Sequence, residues 1–393
     1  MLYQSLLTGI VPGLLLQVAF VAACPKAAPQ YPTEDKNVIK RDVAIIGGGS
    51  SGTYMAVKLK DAGKTFVVRH QQLDHSRRLL DRPDRYGLPP PDQAAVGAAL
   101  AGYAAQRAKY PALETGFNLT YPVPEDLLLP FGEFVTRYQL EALVPIAFLV
   151  SQGITPYLNV STLYVFKNFN PLQLSQPLLT TENHNTHELY ANALTELGSD
   201  VLLQTSVKEV SRANGAVRIT VQTPEGTKTI EAKKVIFAAP PVLDNFAGWD
   251  LSEDETSLFG QWHASGYYTG ILENAGIPAG FAQLQNSGPG KPFRLPELPG
   301  PYVFRQVDAA NVTQVYYGNP DVVSPTWRTF SSHAPFNLMV SKEAIEDRFY
   351  EKVFALQGTR NTYYTGAAWT TQASNSIWEF TDQYLLPILL AAL

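Results

Sequence analysis

The period of the apolar positions changes several times along the chain, and each change marks an element. Residues 42 to 46 read Asp-Val-Ala-Ile-Ile, an apolar β-branched run of the kind carried by a strand covered on both faces. The run stops at glycines, and Thr53 to Ala62 then reads as an amphipathic helix with Met55, Val57 and Leu59 among lysines, followed by a second strand from Thr65 to Val68. Gln93 to Lys109 is an Ala-rich helical pattern, and Pro124 to Val150 predicts further helix with Leu127, Phe131, Phe134, Leu140 and Leu143 buried. His187 to Leu197 reads as a helix stopped by Gly198. Strands are expected at Val201 to Val207, Val217 to Gln222, Thr229 to Ala232 and Val235 to Ala238, a small meander returning to the main sheet. Shorter strand-like pieces, Gly266 to Leu272 and Gln314 to Tyr317, lie in a stretch rich in Tyr, Phe, Gly and Pro. Thr362-Tyr-Tyr-Thr-Gly366 reads as a strand ending on a glycine turn, and a helix runs from about Ser374 to Leu390. No internal repeat is visible.

Composition narrows the class. With 393 residues, 45% of them hydrophobic, the chain can bury a large core, divided between two interleaved domains. Thirty basic and 35 acidic residues leave a net charge of -5 with no long run of either sign, which excludes a nucleic-acid footprint. The first 23 residues carry no Lys, Arg, Asp or Glu and end in Ala22 and Ala23, the pattern of a secretory signal peptide cleaved near Ala23. Sequons at Asn118, Asn159 and Asn311 agree with export and set aside the faint lipoprotein look of Val21-Ala-Ala-Cys24. Cys24 is the only cysteine, so the chain has neither a disulfide framework nor a Cys-based metal site. The apolar tail Leu385 to Leu393 is short and holds Pro387, which suits a docked helix rather than a stable membrane anchor.

The strongest candidate chemistry is Gly47-x-Gly49-x-x-Gly52, set between the first strand and the first helix. The first glycine permits the tight turn, the second lets backbone approach a pyrophosphate, and the third allows helix and strand to pack closely, while the helix amino terminus offers N–H groups to the phosphates. Gly48-Gly-Ser50-Ser-Gly52 also satisfies the G-x-S-x-G pattern of a nucleophile elbow, but such a serine follows several strands, whereas only a linker precedes this one. His184 and His187 beside Glu188 have metal-pair spacing, yet their Asn-rich surroundings read as an exposed helix start. His263 and His333 read as ordinary core or surface histidines.

The order of these segments is similar to that of the flavin-dependent amine oxidase superfamily: an amino-terminal GxGxxG, a central unit ending Lys234-Val-Ile-Phe-Ala-Ala-Pro-Pro241, and a terminal Tyr-Tyr-Thr-Gly366. More narrowly, Asp126-Leu-Leu-Leu-Pro-Phe-Gly132, Lys167-Asn-Phe169, Ser265-Gly-Tyr-Tyr-Thr-Gly270 and the segment Gln357 to Ala367 resemble fungal FAD-dependent oxidoreductases related to β-cyclopiazonate dehydrogenase. The resemblance implies an α/β fold: a Rossmann-like FAD-binding domain of the glutathione-reductase and amine-oxidase type, residues 41–92, 187–245 and 351–393, with an interleaved α+β substrate domain, residues 93–186 and 246–350. It implies FAD over Gly47, Gly49, Ser51 and Gly52, with Val207 as a backbone contact at the adenine and Gly366 by the pyrophosphate and ribityl chain. Tyr364 and Trp369 would stand near the isoalloxazine, and Lys167 would hold a water at flavin N5. The implied reaction removes a hydride equivalent from a small-molecule substrate, with O₂ or another acceptor reoxidising the flavin.

One departure stands out. Such folds end their second strand in Glu or Asp to hold the adenosine ribose, and here Arg69-His70 occupies that place. The Arg-x-Gly-Gly element that follows in the family is missing, and the stretch between His70 and Leu88 is short and without period. Either a lineage-specific deletion or a faulty gene model explains it, the second more readily. Two other readings follow: a remnant that keeps the fold but holds flavin poorly, or an NADP-dependent reductase using Arg69 with Arg77 or Arg78 for a 2′-phosphate.

Overall fold

The computed structural model describes residues 37–70, 92–171, 182–183, 185–213, 215–273, 275, 277, 283–307, 312–323 and 330–393. The leader, Cys24, Asn311, His184, Arg77 and Arg78 lie outside them, as does nearly all of the anomalous stretch after His70.

β1 (Val38–Ile46) runs into α1 (Ser50–Asp61), and β2 (Phe66–His70) returns parallel beside β1. Val43 to Ile46 are each 5% exposed or less, because β1 lies inside the sheet between β2 and β6. α1 begins three residues earlier than its sequence pattern indicates, with Gly49 as its N-cap. A helical block follows: α2 (Gln93–Arg107), α3 (Glu125–Leu128), α4 (Phe131–Arg137), α5 (Val144–Val150) and α6 (Thr162–Asn168). Leu127, Phe131, Phe134, Leu140 and Leu143 are all buried there, as expected. α7 (His187–Leu197) ends at Gly198 in the left-handed region and leads to β3 (Val201–Leu203).

β4 (Ser206–Ser211), β5 (Val217–Thr223) and β6 (Gly226–Phe237) form the meander. Two expectations change here. The expected strand Val201 to Val207 breaks at Gln204, whose φ is +48°. β3 closes one end of the order β3-β2-β1-β6-β5-β4 and β4 the other, yet only Gln204 and Thr205 join them. Three Cα steps reach about 11 Å, less than the width of that sheet at about 4.8 Å per strand, so the β4–β5 ribbon folds back over the parallel strands. The two expected pieces Thr229 to Ala232 and Val235 to Ala238 are one strand, because the lysines between them are satisfied by neighbours. Lys233 pairs with Asp42 of β1 at 2.7 Å, and Lys234 donates to Asn361 at 2.8 Å.

After α8 (Glu253–Phe259), a second sheet forms from β7 (His263–Glu273), β8 (Gln283–Gln285), β9 (Gly300–Val307), β10 (Val312–Asn319), β11 (Ser331–Ser332) and β12 (Phe336–Met339). β11 and β12 both pair with β7. The chain then returns to the first sheet through α9 (Lys342–Glu346), α10 (Phe349–Ala355) and β13 (Thr362–Tyr364). β13 lies parallel to the last residues of β6, on the edge that β5 leaves free. α11 (Ser374–Phe380), a wider turn at Thr381–Leu385 and α12 (Leu386–Ala391) fill the place of the expected terminal helix. The first sheet thus draws on residues 38–70, 201–237 and 362–364, and the second on 263–339. One hydrophobic core joins them.

Candidate functional site

Three strands of the first sheet end side by side. Ala238 N–H donates to Ile46 O at 2.8 Å, and Thr365 N–H donates to Phe237 O at 3.0 Å, so β1, β6 and β13 deliver their following turns to one place. This is the carboxyl end of the parallel strands, where open α/β sheets bind ligands.

The glycines of the first turn do different work. Gly47 has φ +117°, and a Cβ there would lie 2.7 Å from Ala238 O. A Cβ on Gly52 would lie 1.9 Å from Gly47 O, so the helix reaches the strand only because that carbon is missing. A Cβ on Gly49 would meet nothing within 4 Å. Gly47 and Gly52 are therefore needed by the protein's own packing, and Gly49 is not. Its open surroundings fit a residue whose backbone a ligand must approach.

The turns line a cavity of about 280 Å³ that opens to solvent. Ser50 and Ser51 of α1, Ala238 to Pro241 after β6, and Thr365 to Ala368 after β13 form its walls on the first-sheet side. His333 and Phe336, beside β7, close it from the second sheet. Gly366, with φ +117°, faces the start of α1: a Cβ on it would lie 3.5 Å from Ser51 Oγ. Thr365 is 1% exposed and lines the cavity, and its Oγ1 is buried without a hydrogen-bond partner among the described residues. A buried hydroxyl left unpaired costs about 1 to 3 kcal/mol, and Trp369 Nε1, in the same turn, is likewise buried without a partner among the described residues. An extended dinucleotide fits this end: open backbone at Gly49, an unpaired hydroxyl at Thr365, and the amino terminus of the 12-residue α1.

The adenosine end differs. Arg69 is the penultimate residue of β2, and its Nε donates to Thr205 O at 2.5 Å. Half-buried Val207 sits just beyond, at the start of β4 and opposite Val221. Among the described residues no carboxylate occupies that strand end.

The three side chains expected to carry chemistry stand back from the cavity lining. Tyr364 and Trp369 are fully buried and stacked on each other, with centroids 5.5 Å apart and planes 10° apart. Tyr364 O–H donates to Glu255 Oε1 at 2.6 Å, and Glu255 accepts at 2.6 and 2.8 Å from Arg212, itself 3% exposed. Burial works against the charged carboxyl, but the bonds from Arg212 and Tyr364 outweigh it and pull Glu255 down to about 2. Burial, then Glu255, push the Tyr364 phenol well up. This network ties β13 and its turn to α8 and the β4–β5 ribbon. Lys167 sits on α6, where Nζ donates to Gly116 O at 2.9 Å and also to Leu113 O, over the ring of Phe117. Burial pushes its ammonium down to about 7.

Ser50 Oγ is 3.0 Å from Ser374 Oγ and accepts from Trp378 Nε1 at 3.0 Å, so the elbow serine is tethered to α11 rather than set against a base. His187 is exposed at the start of α7, as read from the sequence, and no metal-ligand cluster occurs among the described residues. Sequence reasoning missed Thr365 and His333. Thr365 lies inside the quoted terminal motif, which was its available signal; His333 had none.

No family model matches the chain. It is 34% identical to the FAD-dependent oxidoreductase oblC of Cochliobolus heterostrophus, covering 91% of this chain and 93% of that protein. It is 30% identical to the FAD-dependent oxidoreductase dbaF of Emericella nidulans over 97% of both chains, and 29% identical to the β-cyclopiazonate dehydrogenase of Aspergillus flavus over 89% and 93%. The oblC alignment runs over 449 positions, whereas 91% of the 393 residues is about 358, so about ninety positions of that alignment face no residue here. In fold, the chain is similar to a CLA-producing fatty acid isomerase from P. acnes, with a TM-score of 0.71 at 19% identity over 88% of this chain and 98% of that one. It is also similar to a putrescine oxidase bound to putrescine, with a TM-score of 0.59 at 12% identity over 90% and 100%.

Proposed function

The chain belongs to the fungal FAD-dependent oxidoreductases, and from that premise we propose that it is a secreted enzyme of amine-oxidase type that moves a hydride equivalent from a small organic substrate to FAD. The observation that carries the reading is the convergence of three strand ends on a cavity that holds an unpaired hydroxyl, Thr365 Oγ1, and that lies beside the open backbone of Gly49. The turn from Gly47 to Gly52, with Ser51 and the α1 amino terminus, holds the pyrophosphate. Gly366 faces it, Val207 stands at the adenine, and Tyr364 and Trp369 form the rigid floor behind the third segment. When bound, FAD accepts the substrate's two electrons and passes them to O₂ or another acceptor. The protein orients the substrate and keeps water out. An amine or a secondary-metabolite-like molecule is the proposed substrate class, in keeping with the name of the β-cyclopiazonate dehydrogenase relative.

Export is supported by the charge-free leader and by the exposure of Asn118 and Asn159, which glycan acceptors require. Among the described residues no helix is long and apolar enough to cross a membrane. A second reading, a relative that keeps the fold but holds flavin weakly, is favoured by Arg69 in the acid's place and by the shortened alignment. The NADP reading draws on the same residue, but Arg69 Nε already serves the Thr205 carbonyl.

Anaerobic mixing tests the reaction. Among amines and β-cyclopiazonate, at least one donor should bleach the flavin-loaded protein; a protein that dithionite bleaches and no donor does would contradict the proposal. Expression in a fungal host tests export, which predicts product in the medium whose mobility shifts on deglycosylation.

A further inference from the structure

The cavity walls supplied by the first sheet and its turns are apolar or hydroxyl-bearing: alanines, prolines, Ser50, Ser51 and Thr365. Among the described residues that line the cavity, His333 alone has an ionisable side chain. It stands on the turn between β11 and β12, its backbone N–H donating to Tyr267 O at 2.9 Å. Its ring stacks on Tyr267, with centroids 5.4 Å apart and planes 29° apart, and meets Phe336 edge-on at 6.2 Å. Nε2 lies 3.4 Å from Thr269 Oγ1. The imidazole is thus held in orientation by an aromatic face while staying exposed at the cavity. Tyr267 and Thr269 face it from β7 and Phe336 from β12; of these Tyr267 titrates, and burial pushes its phenol far above the neutral range.

We propose that His333 is a catalytic acid–base residue of this enzyme, an inference that rests on the reading of the cavity as the flavin and substrate site. Oxidation of a substrate H–C–X–H takes a hydride equivalent and a proton. His333 accepts the C–H proton and passes it to solvent, the electron pair left on carbon goes to the flavin with a solvent proton as a hydride equivalent, and the X–H proton leaves as the lone pair on X completes the C=X bond. Imidazole suits the task because its ordinary pKa, about 6.5, lies near working pH.

The test uses the flavin-loaded full chain, H333Q and H333N, with nitroethane as a probe carbon acid. Neutral nitroethane needs a base before it can give up electrons, whereas its preformed anion does not. In the wild type, the visible flavin bands should shift with pH between about 5 and 8, and neutral nitroethane should bleach them. H333Q should keep its flavin, lose that pH shift, and react with neutral nitroethane about 10² to 10⁴-fold more slowly, while its reaction with the anion stays near wild type. An unchanged pH shift in H333Q, or equal rates with neutral nitroethane, overturns the proposal. Loss of flavin from both variants also overturns it, making the residue a cofactor support. A wild type that stays colourless overturns the flavin reading as well.

Discussion

A Cβ is the smallest change that separates what the glycines do for folding from what they do for binding. Gly52→Ala places a carbon 1.9 Å from Gly47 O, so the helix must move off the strand, at a cost of about 1 to 3 kcal/mol. Its melting temperature should fall together with its flavin content. Gly49→Ala meets nothing within 4 Å, so it should melt like the wild type yet bind FAD at least tenfold more weakly by titration of the apoprotein. Equal affinities would remove Gly49 from the site. Glu255 carries a different prediction. Its carboxyl is held down to about 2 from an ordinary 4.5, so the unfolded chain binds the proton more readily. Its stabilising contribution is complete above about pH 4.5 and is lost as pH falls toward 2. Glu255→Gln leaves Arg212 with less compensation at a buried position and should cost about 3 to 5 kcal/mol at neutral pH in chemical denaturation, the deficit shrinking in acid. A variant as stable as the wild type would contradict this. The glycines were legible because their spacing is itself the signal; Thr365 and His333 were not, because what singles them out is a cavity wall assembled from two sheets.

At the scale of elements, the sequence pattern located the first strand and helix, the helical block and the terminal strand, since each has a clean period or a glycine stop. It misread β6 and the β3–β4 step. Two lysines in a strand look like a boundary until Asp42 and Asn361 are seen to hold them, and the bend at Gln204 follows from where the ribbon must go, which no local period records. The end of β2 is where sequence and site disagree most usefully. Arg69 stands where a carboxylate would accept ribose hydroxyls, and one such hydrogen bond contributes about 0.5 to 1.5 kcal/mol net. Arg69→Glu should therefore tighten FAD binding about three- to tenfold in the same titration. Unchanged or weaker binding would show that the adenosine is held by other means.

For the whole molecule, the chain crosses between the sheets and back, and β13 reaches its place beside β6 only after the second sheet is complete. The site is thus completed by a segment that follows the second sheet in the chain. The network of Arg212, Glu255 and Tyr364 locks that segment, and the Trp369 stack lies directly against it. The α/β fold class was readable from the order of patterns along the chain. How the parts meet was not, because sequence order does not say which faces share a cavity. Flavin stoichiometry of the purified full-length protein tests the central claim most directly. The account predicts folded protein carrying, or taking up on addition, about one FAD per chain with visible flavin absorbance; folded protein that stays colourless in excess FAD would contradict it.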